Sequence, residues 1–114
     1  MSEKRKAKRK KITFYFKVLS ANTLDLVGHL TGISIKGISL DCQQPMQLGK
    51  VMHLSIETTP EVSNTEFIYF VAQCKWCKTD EIIPNIFNIG MEILEISVHD
   101  QQVLKRIEDT FGSE

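Results

Sequence analysis

The sequence predicts an all-β protein, a small six-stranded antiparallel β-barrel with a C-terminal α-helix. Three observations lead to this prediction. Most apolar residues stand in short runs, rich in β-branched and aromatic side chains, that turn residues separate. Only the segment after residue 96 repeats its apolar residues at helical intervals. At 114 residues the chain is long enough for one core but not for two, and a closed barrel accommodates many strands in a chain of this size.

The predicted strands follow one another at regular spacing. A β-branched and aromatic run at 12–19 is followed by a polar turn and a second strand at 25–31. Gly90, inside the last predicted strand, indicates a bulge or a closely packed neighbour. The remaining predicted strands are 38–42, 51–57, 66–77 and 86–94.

The final segment predicts the helix. Ser97 and Asp100 have the spacing of a capping box, with Asp in place of the usual Glu or Gln. Gly112 follows as a stop. Because one face is apolar, we expect this helix to cover an open end of the barrel. The apolar positions are Val103, Leu104, Ile107 and Phe111.

The amino-terminal residues carry the most unusual feature of the chain. Seven of the eight residues at 4–11 are cationic, and residues 1–11 hold only one acid, Glu3. The rest of the chain has seven bases against thirteen acids, a net charge of −6. A segment this polar buries no apolar surface, so nothing offsets the conformational entropy that it would lose on becoming ordered. We therefore predict a flexible basic N-terminal arm at 1–11, which an anion can order, and a folded domain at 12–114.

Arg5 and Arg9 are the arginines of this arm, and they stand four residues apart. The planar fork of an arginine matches two phosphate oxygens or the O6 and N7 acceptors of guanine, whereas a lysine is a hydrated point charge. The alternative is a solubilising or nonspecific basic tail.

Several classes of function are disfavoured. No apolar run approaches a membrane span, and the basic start lacks the features of a secretory signal, so we expect a cytoplasmic protein. No paired carboxylates, nucleophile–histidine set or phosphate-binding glycine loop indicates an enzyme.

Cys74 and Cys77 form a C-x-x-C, but a structural zinc site needs four ligands and no second pair stands at ligand spacing. We favour reduced thiols without a metal or other cofactor, and a metal site is the alternative.

These pieces, in this order, resemble the PilZ domain, the bacterial receptor module for the second messenger cyclic di-GMP (c-di-GMP). The family signature RxxxR, just before the first strand, is matched by Arg5 and Arg9. Its second signature, [D/N]-x-S-x-x-G after the second strand, is matched at Ser34 and Gly37. A strand ending in Trp76 and a later strand with an embedded glycine complete the likeness, which spans about residues 5–111.

One position departs from the family pattern. Gly32 stands where the second signature has Asp or Asn, whose side chain in the family accepts hydrogen bonds from a guanine edge. Losing one such contact costs ~1–3 kcal/mol, or roughly tenfold to over a hundredfold in affinity.

The resemblance implies a binding site for c-di-GMP, often bound as a stacked dimer. Arg5 and Arg9 would hold phosphate oxygens and guanine edges, Ser34 would bond through its hydroxyl, and Gly37 would let the turn backbone come close. Trp76 is either a stacking wall or a core residue. The arm would become ordered on binding and relay the signal to an unidentified downstream protein. Long-range attraction would come from the lysines of the arm, Lys4, Lys6, Lys8, Lys10 and Lys11.

Two other functions remain open from the sequence. A degenerate PilZ domain without nucleotide binding could serve as a protein-interaction adaptor, and Gly32 supports that alternative. A small barrel using its basic arm on nucleic acid is less favoured, because the negative body would repel a polyanion.

Overall fold

The computed structural model describes residues 10–113, which contain eight strands and one helix. The short outer strands are β1 (Lys10–Ile12) and β8 (Gly112–Ser113). The helix α1 is Val98–Phe111. The remaining strands are β2 (Lys17–Ser20), β3 (Leu26–Ile33), β4 (Gly37–Cys42), β5 (Val51–Glu57), β6 (Phe67–Thr79) and β7 (Phe87–Ile96).

Six of the strands close into an antiparallel barrel. Their order is β2-β5-β6-β7-β4-β3, and the pairing of β2 with β3 closes the circle. The interior is filled mainly with aliphatic side chains, as the alternation of the strands predicts. Phe16, Phe70, Met91, Cys42 and Cys74 complete it. The predicted six-stranded barrel with a C-terminal helix is therefore confirmed.

The single strand predicted at 12–19 is wrong, because the chain leaves the sheet between β1 and β2. The backbone N–H and the Oγ1 of Thr13 both donate to the Phe111 carbonyl oxygen, at 2.9 Å each. Phe16 is buried and packs edge-on against Phe14 and Phe111, with ring centroids 4.7 and 5.2 Å away. The end of the helix thus takes hydrogen bonds that a continuous strand would have made, and β1 and β2 pair with different stretches of β3.

Helix α1 begins as the sequence predicts. The Ser97 Oγ accepts a hydrogen bond from the Asp100 N–H at 3.0 Å. The Asp100 Oδ2 accepts another from the Tyr69 N–H of β6 at 3.1 Å, so the cap also ties the helix to the barrel. The helix ends before Gly112, which is extended rather than left-handed (φ −87°) and begins β8.

The apolar face of α1 covers one end of the barrel, as predicted. Val103, Leu104 and Ile107 are buried and belong to the same core as the strands. The Nε of Arg106 donates to the Val62 carbonyl of the β5–β6 connection at 2.7 Å. Nothing helical within residues 10–113 is long and apolar enough to span a membrane.

We expect Ile107→Ala to lower the free energy of unfolding by about 2–5 kcal/mol, because its side chain is fully buried between α1 and the barrel and its removal leaves a cavity. Urea denaturation measures the change. The matched control is Val98→Ala on the same helix, at a side chain that is 73% exposed, which should shift stability by no more than ~0.5 kcal/mol. Equal losses in the two variants would show that the helix does not contribute to the core.

Candidate ligand-binding face

One row of directly opposed residues crosses five strands of the sheet. It runs from Lys11 in β1 through Gly32, Ser39 and Gly90 to Trp76 in β6. Directly opposed residues project to the same side of a sheet, and the neighbours of Ser39 along β4 point into the core, so the row lies on the outer face. Its three middle residues have little or no side chain. They form a low floor between a cation and an aromatic ring.

The Trp76 indole occupies the space that a side chain at position 90 would fill. A Cβ built on Gly90 would overlap the Cε2 and Nε1 atoms of the ring. The Lys78 ammonium lies 5.3 Å from the centroid of the ring, within cation–π range. The predicted packed neighbour of Gly90 is therefore confirmed, and Trp76 remains partly exposed at the edge of the floor.

The β3–β4 connection forms a tight turn beside this floor. The Ser34 N–H donates to the Gly37 carbonyl at 2.9 Å and closes the turn. A Cβ on Gly37 would overlap the carbonyl oxygen of Met91 in β7. Glycine is required here because the backbones of β4 and β7 approach closely, and not because of a positive φ.

Ser34, Gly37 and Trp76 line one groove of about 310 Å³. A second groove, of about 670 Å³, shares Ser34, Lys36 and Glu92 with the first and extends along α1 to Leu104 and Glu108. We call these two grooves together the trough. Its combined volume is in the range of small-molecule and cofactor sites.

The trough is lined by charges of both signs that make weak surface ion pairs. Lys75 lies 3.5 Å from the Glu92 carboxylate, and both side chains are about half exposed. Lys105 lies 3.7 Å from Glu108 and 3.4 Å from Asp109. Exposed pairs of this kind contribute ~0–1 kcal/mol. A multiply charged anion can therefore recruit these lysines at little cost.

The family model described as the PilZ domain matches residues 3–108 of the chain. The chain belongs to the PilZ domain family. PilZ domains are regulatory binding modules and the family comprises c-di-GMP receptors.

Two solved structures share the fold of this PilZ domain. The PilZ domain of YcgR from Escherichia coli, determined with c-di-GMP, superposes with a TM-score of 0.72 at 14% identity, over 96% of this chain and 92% of that one. The Bacillus subtilis inhibitor of motility, MotI/DgrA, gives 0.67 at 19% identity, and the match covers 95% of this chain and 51% of that one. A sequence comparison with curated proteins finds no match.

The structure brings half of the predicted site residues of this PilZ domain to one face. Ser34, Gly37 and Trp76 line the same groove, and Gly32 lies buried in the row beside it. The other predicted residues, Arg5, Arg9, Lys4 and Lys8, lie outside the described residues.

Sequence reasoning missed six polar residues of the trough. Three of them, Gln101, Lys105 and Glu108, lie on α1. Lys36 stands inside the second family signature, at a position where the signature accepts any residue. Lys75 and Glu92 come from β6 and β7, and Glu92 lies directly opposite Gly37. Only the register between the strands reveals that proximity. For Lys36, its place between Ser34 and Gly37 was a usable signal.

None of the three cysteines of this PilZ domain lines the trough. Cys42 and Cys74 are buried, Cys77 is partly buried, and all three are free. Burial is the main cause that raises the pKa of Cys42 to about 12, so its thiol stays protonated at neutral pH. Across residues 10–113, no group of three or more His, Cys, Asp or Glu side chains is arranged to hold a metal ion.

We expect Gly90→Ala to displace the Trp76 ring, because the new methyl group would occupy its position. The predicted cost is about 1–3 kcal/mol of unfolding free energy, with a changed emission from Trp76, the single tryptophan of the chain. The control is the same substitution in a Trp76→Ala background, where the clash is absent and the cost should largely vanish. If Gly90→Ala costs as much in the Trp76→Ala background as in the wild type, the Trp76 ring does not pack on Gly90.

Proposed function

We propose that this PilZ domain is a c-di-GMP receptor that binds the nucleotide in the trough and relays binding through its basic arm. One observation carries the proposal. Lys10 of β1 lies opposite Ile33, the residue that precedes Ser34. The segment with the two arginines therefore joins the fold directly beside the serine-glycine turn.

Chain length alone keeps both arginines within reach of the trough. The chain extends by at most ~3.3–3.6 Å per residue. Arg9 is the immediate neighbour of Lys10 in sequence, and Arg5 is five residues before it, a maximum span of roughly 17 Å. The two guanidinium groups can thus approach a ligand that lies against Ser34 and Trp76.

The chemistry of the trough suits a nucleotide with two phosphates and two guanines. The arginine forks would take phosphate oxygens and guanine O6 and N7. Lys36, in the turn beside which the arm joins, and Lys75 on β6 line the groove and would add positive charge to it. The Trp76 ring, partly exposed at the end of the floor, offers an aromatic edge against which a base can pack. The bound c-di-GMP of the YcgR PilZ domain supports this choice of ligand.

The relay would consist of ordering the arm. Residues 1–11 would form the arm and residues 12–114 the folded domain. Lys10 and Lys11 are already held in β1, so the part of the arm that becomes ordered would be the residues before them. Binding would neutralise cations of the arm and lay it against the barrel, which changes the surface offered to a downstream protein. We infer a cytoplasmic location from the nature of this ligand.

We expect Arg5→Gln combined with Arg9→Gln to weaken c-di-GMP binding about a hundredfold or more, since each lost charged hydrogen bond costs ~1.5–3 kcal/mol. Calorimetry, or titration followed by Trp76 fluorescence, measures the affinity. The control Lys6→Gln with Lys10→Gln removes the same charge but keeps both arginine forks. Absence of wild-type binding at ~100 μM ligand, or equal losses in the two variants, would contradict the proposal.

A second candidate function is supported by Gly32. Without an acceptor at this position, the domain would have lost its affinity for the nucleotide and would act as a protein-interaction adaptor. Gly32 lies buried in β3 between Lys11 and Ser39, in the row beside the trough where the ligand would lie.

The substitution Gly32→Asp separates the two candidates. For a receptor, we expect an additional gain of about tenfold in an affinity that the wild type already has, because one more acceptor is supplied. For an adaptor, binding would appear only in the variant. Gly32→Ala is the matched control, since it adds bulk without an acceptor, and melting temperatures establish that each variant folds.

A further inference from the structure

We propose that Glu92 reads a guanine edge in the trough and makes the site select guanine over adenine dinucleotides. This inference rests on the proposed nucleotide binding and adds a specificity residue to it. The residue lies on β7, outside both family signatures.

The position of Glu92 is fixed by the barrel. It stands two residues after Gly90 on the same strand, so both project to the outer face. It lies directly opposite Gly37 across the β4–β7 ladder. Since Gly37 has no side chain, the Glu92 carboxylate is unobstructed on that side, and it lines both grooves of the trough.

A carboxylate is the side-chain group that matches this task. Guanine presents two adjacent donors, N1–H and the 2-amino group, and a carboxylate offers two acceptor oxygens at a similar spacing. Adenine has an acceptor at N1 and no amino group at C2. A carboxylate therefore gains a pair of charge-assisted hydrogen bonds from guanine and meets a lone pair in adenine.

Of the two glutamates that line the trough, Glu92 is the one poised for a ligand. The Glu108 side chain is only 17% exposed, whereas that of Glu92 is 43% exposed. The Glu92 carboxylate is paired with Lys75 at 3.5 Å, a weak exposed contact. A phosphate would draw Lys75 away, and the freed carboxylate would repel the ligand unless it accepted donors from it.

Glu92 would read a different base from the one that the family's acidic position reads. Two strand spacings and two residues separate it from Gly32, or ~12 Å from the spacings of a sheet. A cyclic dinucleotide carries two bases, so one ligand can present one guanine near each position. The Glu92 contact would then retain base selectivity in a domain whose signature acid is a glycine.

The test compares Glu92→Gln with Glu95→Gln in the full chain, using cyclic di-GMP and cyclic di-AMP as probes in calorimetry. Both substitutions remove one negative charge from β7, but Glu95 lies opposite Val71 and outside the trough. We expect Glu92→Gln to weaken cyclic di-GMP binding about tenfold to a hundredfold and to reduce the preference over cyclic di-AMP by a similar factor. Glu95→Gln should change neither.

Two results would overturn the inference while the proposed receptor function stands. One is cyclic di-GMP binding by Glu92→Gln that equals the control. The other is tighter binding, which would mean that the carboxylate repels the phosphates. If the wild type binds neither probe, the receptor function and this inference fail together. A Gly32→Asp, Glu92→Gln double variant that regains affinity but not the wild-type preference for guanine would support the assignment of a separate base to Glu92.

Discussion

Backbone pairing between β1 and β3 determines where the basic arm meets the barrel. Strand β1 is only three residues long, and three sets of contacts hold it. β3 pairs with β1 along one edge and β8 pairs with it along the other. Thr13, the residue after β1, donates its backbone N–H to the Phe111 carbonyl at the end of α1. The last two of these contacts involve residues at the end of α1 or directly after it. Burial of the apolar face of α1 therefore stabilises both the barrel and the attachment of the arm.

Glycines and a serine determine the shape of the outer face as much as its larger side chains do. Gly90 provides the space for the Trp76 ring, and Gly37 lets β4 approach β7. Gly32 and Ser39 keep the area between Lys11 and Trp76 low. The result is a face whose middle row lacks large side chains and whose edges carry charged ones. The same geometry explains why residues far apart in sequence line one groove.

Much of the fold follows from local pattern, and the errors have a tertiary cause. The strand predicted at 51–57 is β5, and the capping serine and apolar spacing gave the start and buried face of α1, because period and capping are local properties. The break between β1 and β2 could not be predicted, since it depends on hydrogen bonds from Thr13 to Phe111, which lies 98 residues later. Ser34 and Gly37 carried a recognisable motif. Glu92 did not, because its relevance arises only from the strand register that places it opposite Gly37.

The pairing of Lys11 with Ser113 brings the two ends of the described chain side by side. A group attached next to Ser113 would begin beside Lys11, within about one Debye length of that lysine, which is ~8 Å at physiological ionic strength. An acidic tag there would compete with a phosphate for the same cations, and a bulky fluorescent protein would occupy the approach to the trough. A reporter label on this domain should therefore be placed elsewhere, on a loop at the opposite end of the barrel.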